Sequence, residues 1–143
     1  MSDFNGPGAY RLIYANSPSG SPAAVEIKDG KKDDKSKAVM KGKEKSDNQI
    51  WHIVDRGDGT VSKHREYLII NRLTGLFLAC EEGEKKGGRV TSNRDSPNYN
   101  RVGWNIIPTR NDSGTYLVTP FNNSKLSLTP DYYKPDTGTE LTI

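Results

Sequence analysis

Side chains able to do covalent or metal chemistry are few in this sequence and lie far apart. There are two histidines, His52 and His64, and one cysteine, Cys80. A four-ligand zinc site has little to draw on. Cys80 ends the apolar run Leu76-Phe77-Leu78-Ala79. An apolar strand does the reverse of activating a thiol, so Cys80 reads as a small buried hydrophobe. Gly57-Asp58-Gly59-Thr60 has the residues of a hairpin turn. It lacks the alternating acids and closing glutamate of a calcium loop. Gly83-Glu84-Lys85-Lys86-Gly87-Gly88 lacks phosphate-loop spacing and a following helix. Serines, aspartates and lysines are plentiful, but none stands in a catalytic spacing. The expectation is a protein that binds, not an enzyme, with no catalytic residues, no metal and no cofactor.

The polar groups that remain cluster in two stretches. Asp47-Asn48-Gln49-Ile50-Trp51 sets an acid and two amides directly before a tryptophan. Upstream, Ala24-Val25-Glu26-Ile27-Lys28-Asp29-Gly30 carries two carboxylates on an alternating strand and its turn. Carboxylates only accept hydrogen bonds, whereas amides both donate and accept.

The elements that must position these groups repeat along the chain. Gly8-Ala9-Tyr10-Arg11-Leu12-Ile13, Glu66-Tyr67-Leu68-Ile69-Ile70-Asn71 and Gly114-Thr115-Tyr116-Leu117-Val118 each set an aromatic before aliphatics. Alternating strands start at Trp51 and Trp104, with each tryptophan facing the core and His52 facing out. Second strands are expected at Ala24 to Ile27, Leu76 to Cys80 and Lys125 to Thr129. Third strands are expected near Ala38 to Met40, Arg89 to Thr91 and Thr139 to Ile143. Short strands at turn-rich spacing argue an all-β fold. One unit of roughly 50 residues cannot cover its own apolar face, whereas three around an axis can. The reading is a single β-trefoil domain over residues 1–143, with repeats of about 8–60, 61–110 and 111–143. The tryptophan strand of the third repeat would fall past Ile143, so that repeat reads as truncated. Asp3-Phe4-Asn5 or a second subunit would take the vacant place, and a homodimer is expected.

Composition narrows the setting. The 143 residues carry a net charge of +3 and 32% hydrophobic residues, which suits one domain. Eight lysines between Lys28 and Lys45 alternate with acids and read as a solvated face. They lack the aromatic interleaving of a single-strand binder, so nucleic acid is not an expected partner. One cysteine allows no intrachain disulfide. The polar start from Met1 to Gly8 is unlike a signal peptide, and no run is long enough to insert in a membrane. A leaderless, cytoplasmic protein is expected.

Gln49-Ile50-Trp51 resembles the Gln-x-Trp signature of the ricin-B-type lectin family. Val25-Glu26-Ile27-Lys28-Asp29-Gly30 is similar to that family's strand and turn bearing the sugar-binding acid. Leu73-Thr74-Gly75-Leu76-Phe77-Leu78-Ala79-Cys80 is similar to its Ser-Gly-x-x-Leu-Asp-Val strand. The likeness covers two repeats and part of a third, and is strongest to the small leaderless fungal agglutinins. It implies shallow sites for terminal galactose or N-acetylgalactosamine on glycoproteins or glycolipids. A carboxylate would accept from vicinal hydroxyls, an amide would sit beside it, and an aromatic would stack on the sugar's C–H face. By the same resemblance, Glu26, Asp29, Asn48 and Gln49 form the first repeat's site, with Gln49 bracing the acid. The stacking aromatic should fall near Lys41 to Lys43, where there is none. In the second repeat Ala79 replaces the acid and Arg101-Val102 replace Asn-Gln, leaving Asn98, Tyr99 and Asn100 as a remodelled contact. In the third repeat Thr129 takes the acid position. Asp131, Tyr132 and Tyr133 then either contact sugar or cap the barrel end.

A different function on the same scaffold is also consistent with the sequence. Fungal mycocypins, which inhibit cysteine proteases through a surface loop, are similar in the opening strand and the Gln-x-Trp stretch. The corresponding loop here would be Ala15-Asn16-Ser17-Pro18-Ser19-Gly20-Ser21-Pro22. Its prolines would lower the entropy lost on binding.

Overall fold

The computed structural model describes residues 4–56 and 65–143. The turn at Gly57-Asp58-Gly59-Thr60, His64 and Asp3 lie outside the described residues. Among the described residues eleven strands follow in order. The first repeat contributes β1 (Gly8–Tyr10), β2 (Ala23–Ile27), β3 (Ala38–Gly42) and β4 (Trp51–Asp55). The second contributes β5 (Tyr67–Asn71), β6 (Phe77–Cys80), β7 (Val90–Asn93) and β8 (Trp104–Pro108). The third contributes β9 (Tyr116–Pro120), β10 (Thr129–Pro130) and β11 (Leu141–Thr142).

The barrel wall runs β1-β4-β5-β8-β9, each pair antiparallel. Three hairpins, β2–β3, β6–β7 and β10–β11, close one end. They meet through the bridges Lys37↔Thr91, Val39↔Glu140 and Arg89↔Thr142. This is the β-trefoil arrangement. The threefold repeat is legible at atomic detail. Trp51 Nε1 donates to Val25 O at 3.0 Å, and Trp104 Nε1 donates to Leu78 O at 2.9 Å. Both indoles are fully buried. A buried Trp N–H must find an acceptor, so each tryptophan ties its wall strand to its own hairpin while filling the core. On β4 the pattern alternates as a half-buried strand requires: Trp51 and Ile53 face in, and Val54 is exposed.

Two expectations shift. The strand expected over Lys125 to Thr129 forms a ladder only at Thr129 and Pro130. Leu128 N instead donates to Val118 O, tying this stretch to β9, and Leu126 and Leu128 still pack on the core. Among the described residues, β1 pairs only with β4, and β9 with no strand but β8. The barrel is therefore open between them. Phe4 fills that seam, its ring 5.2 Å from Tyr10, 5.5 Å from Tyr67 and 5.8 Å from Tyr116.

Three of the eight lysines in the lysine-rich stretch are in ion pairs. Lys35 meets Glu81 at 3.4 Å, Lys37 meets Glu140 at 2.6 Å and Lys41 meets Glu44 at 2.8 Å. No helix among the described residues is long and apolar enough to cross a membrane.

Candidate functional site

The first repeat brings its two polar stretches together. Ser46 caps the 3-10 turn Asp47–Gln49, its Oγ accepting from Asn48 N. The turn aims Asn48 and Gln49 at β2. Asn48 Oδ1 accepts from Ile27 N at 3.1 Å, and its Nδ2 donates to Ile27 O at 2.7 Å. The amide therefore replaces a strand partner at the point where β2 bends into the turn Lys28–Gly30. Asn71 Nδ2 braces Asn48 from the neighbouring repeat, donating to its carbonyl O at 2.9 Å. Among the described residues, Asn48 Nδ2 donates to Ile27 O alone.

Gln49 is fully buried. Its Oε1 accepts from Glu44 N, and its Nε2 donates to Gly42 O at 3.0 Å and to Glu26 Oε2 at 3.3 Å. Its polar capacity is spent on holding the β3 exit and on bracing the acid. Glu26 is only 6% exposed. Burial raises its pKa, against the opposing effects of the Gln49 hydrogen bond and the Lys41 charge. Its Oε1 has no hydrogen bond among the described residues. The result is a carboxylate with one oxygen held and the other available. Asp29 stands exposed on the adjacent turn at φ 56°.

The place where a stacking aromatic was expected holds Lys41, bonded to Glu44. An exposed apolar side chain, Leu73, lies against the Gly30 turn. Leu73 is 42% exposed, and a Cβ added to Gly30 would lie 2.8 Å from its Cδ2. The Asn71 side chain fixes that loop by accepting from Leu73 N and Thr74 N. In the sequence Leu73 entered only as the first residue of the Leu73-Thr74-Gly75-Leu76-Phe77-Leu78-Ala79-Cys80 stretch. That Leu73 lies against the first repeat's turn is a tertiary fact.

In the second repeat the tryptophan bonds align Leu78 with Val25, hence Ala79 with Glu26 and Val102 with Gln49. Ala79 and Val102 are fully buried in an apolar cluster with Leu68, so packing replaces the acid–amide pair. Asn98, Tyr99 and Asn100 are exposed. Their loop is clamped by Arg56, which donates to Pro97 O at 2.8 Å, Asn98 O at 3.0 Å and Tyr99 O at 3.2 Å. The Arg101 guanidinium lies 5.8 Å from the Tyr99 ring and pairs with Asp95.

In the third repeat Asp131–Tyr133 form a 3-10 turn after β10. Tyr132 and Tyr133 are 81% and 75% exposed, so the rings do not cap the barrel. The three residue groups thus lie on three different repeats. Cys80 is buried, and burial pushes its thiol pKa up to about 12. Among the described residues no three His, Cys, Asp or Glu side chains gather where they could hold a metal.

No protein-family model and no curated protein matches the sequence. Solved structures do match in fold. ThreeFoil, a designed 3-fold symmetric protein, is 21% identical at a TM-score of 0.77, over 94% of this chain and 86% of that one. The agglutinin of Rhizoctonia solani is 13% identical at a TM-score of 0.77, over 99% of this chain and 88% of that one. The Polyporus squamosus lectin, bound to the epitope Neu5Aca2-6Galb1-4GlcNAc, is 14% identical at a TM-score of 0.59. The match covers 98% of this chain and 49% of the lectin. At these identities the likeness establishes the architecture: the chain has the β-trefoil fold.

Proposed function

We propose that this chain is a lectin that binds glycans ending in galactose or N-acetylgalactosamine, with its principal site in the first repeat. The observation that carries the reading is Glu26. A nearly buried carboxylate keeps one oxygen on Gln49 and leaves the other without a hydrogen bond among the described residues, with Asn48 bonded to the next residue, Ile27, and the exposed Asp29 on the turn that follows. Vicinal hydroxyls both donate and accept, which suits such a set. Leu73 supplies an aliphatic surface for the sugar's C–H face where an aromatic is lacking. The agglutinin and lectin among the fold's relatives support the same class of ligand. Few direct bonds in a shallow groove give weak single-site affinity, of order 0.1–1 mM, which several sites per assembly would amplify.

Calorimetric titration with N-acetylgalactosamine and methyl β-galactoside tests the reading. Wild type binds. Glu26→Gln loses a charge-assisted hydrogen bond worth about 1.5–3 kcal/mol and weakens binding roughly 10- to 100-fold. Absence of any galactoside binding by wild type would end the proposal. Pairing of two copies through a contact near the C-terminus belongs to the same reading. Haemagglutination together with a dimer on analytical ultracentrifugation checks it. The single buried Cys80 fits a reducing, cytoplasmic setting.

The protease-inhibitor reading has one favouring observation. The Ala15–Pro22 loop is mostly exposed and is held in shape by Ser17, whose Oγ donates to Tyr14 O and accepts from Ala23 N. Inhibition of papain by a protein that binds no sugar would move the function there.

A further inference from the structure

Two of the three repeats make a bond that the third lacks. Trp51 Nε1 donates to Val25 O, and Trp104 Nε1 donates to Leu78 O. Hairpin registers identify the third acceptor. Ile27 pairs Ala38, Cys80 pairs Val90 and Pro130 pairs Leu141, so Val25 and Leu78 correspond to Leu128, each two residues earlier. A second bond fixes the same alignment. Val25 N donates to Leu12 O as Leu128 N donates to Val118 O, and Leu12 and Val118 each lie two residues past an opening tyrosine. Leu128 O accepts no hydrogen bond among the described residues.

The side chains nearby are uncovered in the same way. Val25, Ile69 and Leu78 are buried in the core, whereas their equivalents Leu12, Val118 and Leu128 are only partly buried. Phe4 meets the opening tyrosines. Among the described residues, however, β1 and β9 each keep one edge without a strand partner, and such an edge is a template for pairing. Arg11 adds a charge to this seam. The residue after an opening tyrosine faces the third residue past a tryptophan: Leu68 pairs Val54, and Leu117 pairs Ile107. In the first repeat the residue after the tyrosine is Arg11, whose Nε is buried with no hydrogen-bond partner. An arginine thus stands where the other two repeats form an apolar pair.

We propose that the seam between β1 and β9 is a docking site for an extended segment of another polypeptide with the pattern Trp-x-aliphatic-acid. The segment runs antiparallel to both edges, as β4 does between β1 and β5. Its indole N–H donates to Leu128 O, its aliphatic side chain turns inward as Ile53 does, and its carboxylate meets Arg11. Strand addition of this kind takes affinity from main-chain bonds and specificity from alternate side chains. A charge-assisted bond to a partly buried arginine adds the choice of an acid. A second copy of the chain does not supply the segment. Its two tryptophans are fully buried in its own core, and neither is followed by an acid at the third place.

The test measures binding of fluorescein-labelled synthetic peptides to the full chain by fluorescence anisotropy. The parent peptide has the sequence of residues 47–55 with Val54→Glu, which sets an acid three places past Trp51. It binds, and it raises the melting temperature of the protein. The peptide with Val54→Lys binds about tenfold more weakly, and the Val54→Glu peptide that also carries Trp51→Phe, which has no indole N–H, loses roughly two- to tenfold. Arg11→Glu in the protein reverses the preference between the glutamate and lysine peptides. N-acetylgalactosamine leaves the peptide bound, because the Glu26 groove is a separate place; displacement by the sugar would overturn the seam as the site, whatever the sugar result says of the Glu26 reading. Absence of binding by the parent peptide overturns the proposal. Equal binding of the two charged peptides to wild type overturns it as well, without recourse to a protein variant. A dimer on analytical ultracentrifugation that excludes the parent peptide would give the seam to a second copy and also overturn it.

Discussion

Glu26 ties stability and binding to pH in opposite senses. Burial raises its pKa above the ordinary glutamate value, at which it titrates in the unfolded chain. Between those two values the folded chain holds the extra proton. The contribution of Glu26 to stability is therefore fully present below the unfolded pKa and is lost as pH rises through the folded one. The ionised form is the better acceptor for two hydroxyls, so sugar affinity should fall as pH drops through the raised pKa. Urea midpoints and galactoside titrations across the acid range should show both trends in wild type. Glu26→Gln should remove this group's part of each. The available Glu26 oxygen exists because Gln49 has no further capacity: each polar atom of that amide already has a protein partner.

The β2 strand and the Asp47–Gln49 turn hold each other through one side chain. Asn48 pairs both the N–H and the C=O of Ile27, groups that no adjacent strand reaches where β2 turns away. Asn48→Ala should leave them unpaired in a buried place and cost about 1–3 kcal/mol, read as a lower urea midpoint at unchanged m-value. Any loss of sugar binding in that variant then has two causes, which is why Glu26→Gln is the cleaner probe. The second repeat shows the same element with another solution. With Val102 and Ala79 in place of amide and acid, the turn is held by apolar contact with Leu68, so the fold does not require the polar pair.

The barrel as a whole is a trefoil with one seam filled by a side chain instead of a strand. Phe4 packs among three tyrosines, one from the opening strand of each repeat. Its backbone N–H donates to Tyr116 Oη at 3.4 Å, while Tyr10 Oη donates to Gly6 O at 2.8 Å. Phe4→Ala should remove a half-buried ring worth about 2 kcal/mol, lowering the melting temperature by roughly 4–8 °C for a chain of this size. A variant that melts like wild type would show that the seam is closed by other means.

Much of this was legible in the residues because it follows from local periodicity. The three aromatic openings, the two tryptophan strands and the buried Cys80 each follow from a short run of apolar residues in the local sequence, alternating in β4 and continuous in β6. The bracing of Glu26 by Gln49 is what the resemblance to the ricin-B-type family implies. Other features depended on which distant segments share space. Leu73 at the Gly30 turn, Arg56 clamping the loop that bears Tyr99, and Phe4 in the seam are contacts between residues far apart in the chain, and no local pattern encodes them. That Tyr133 shares the left-handed backbone of Gly30 and Gly83 becomes visible only once the hairpin registers align them. A tyrosine and a glycine read as different turn residues in sequence, and the folded repeats show that they hold the same backbone conformation.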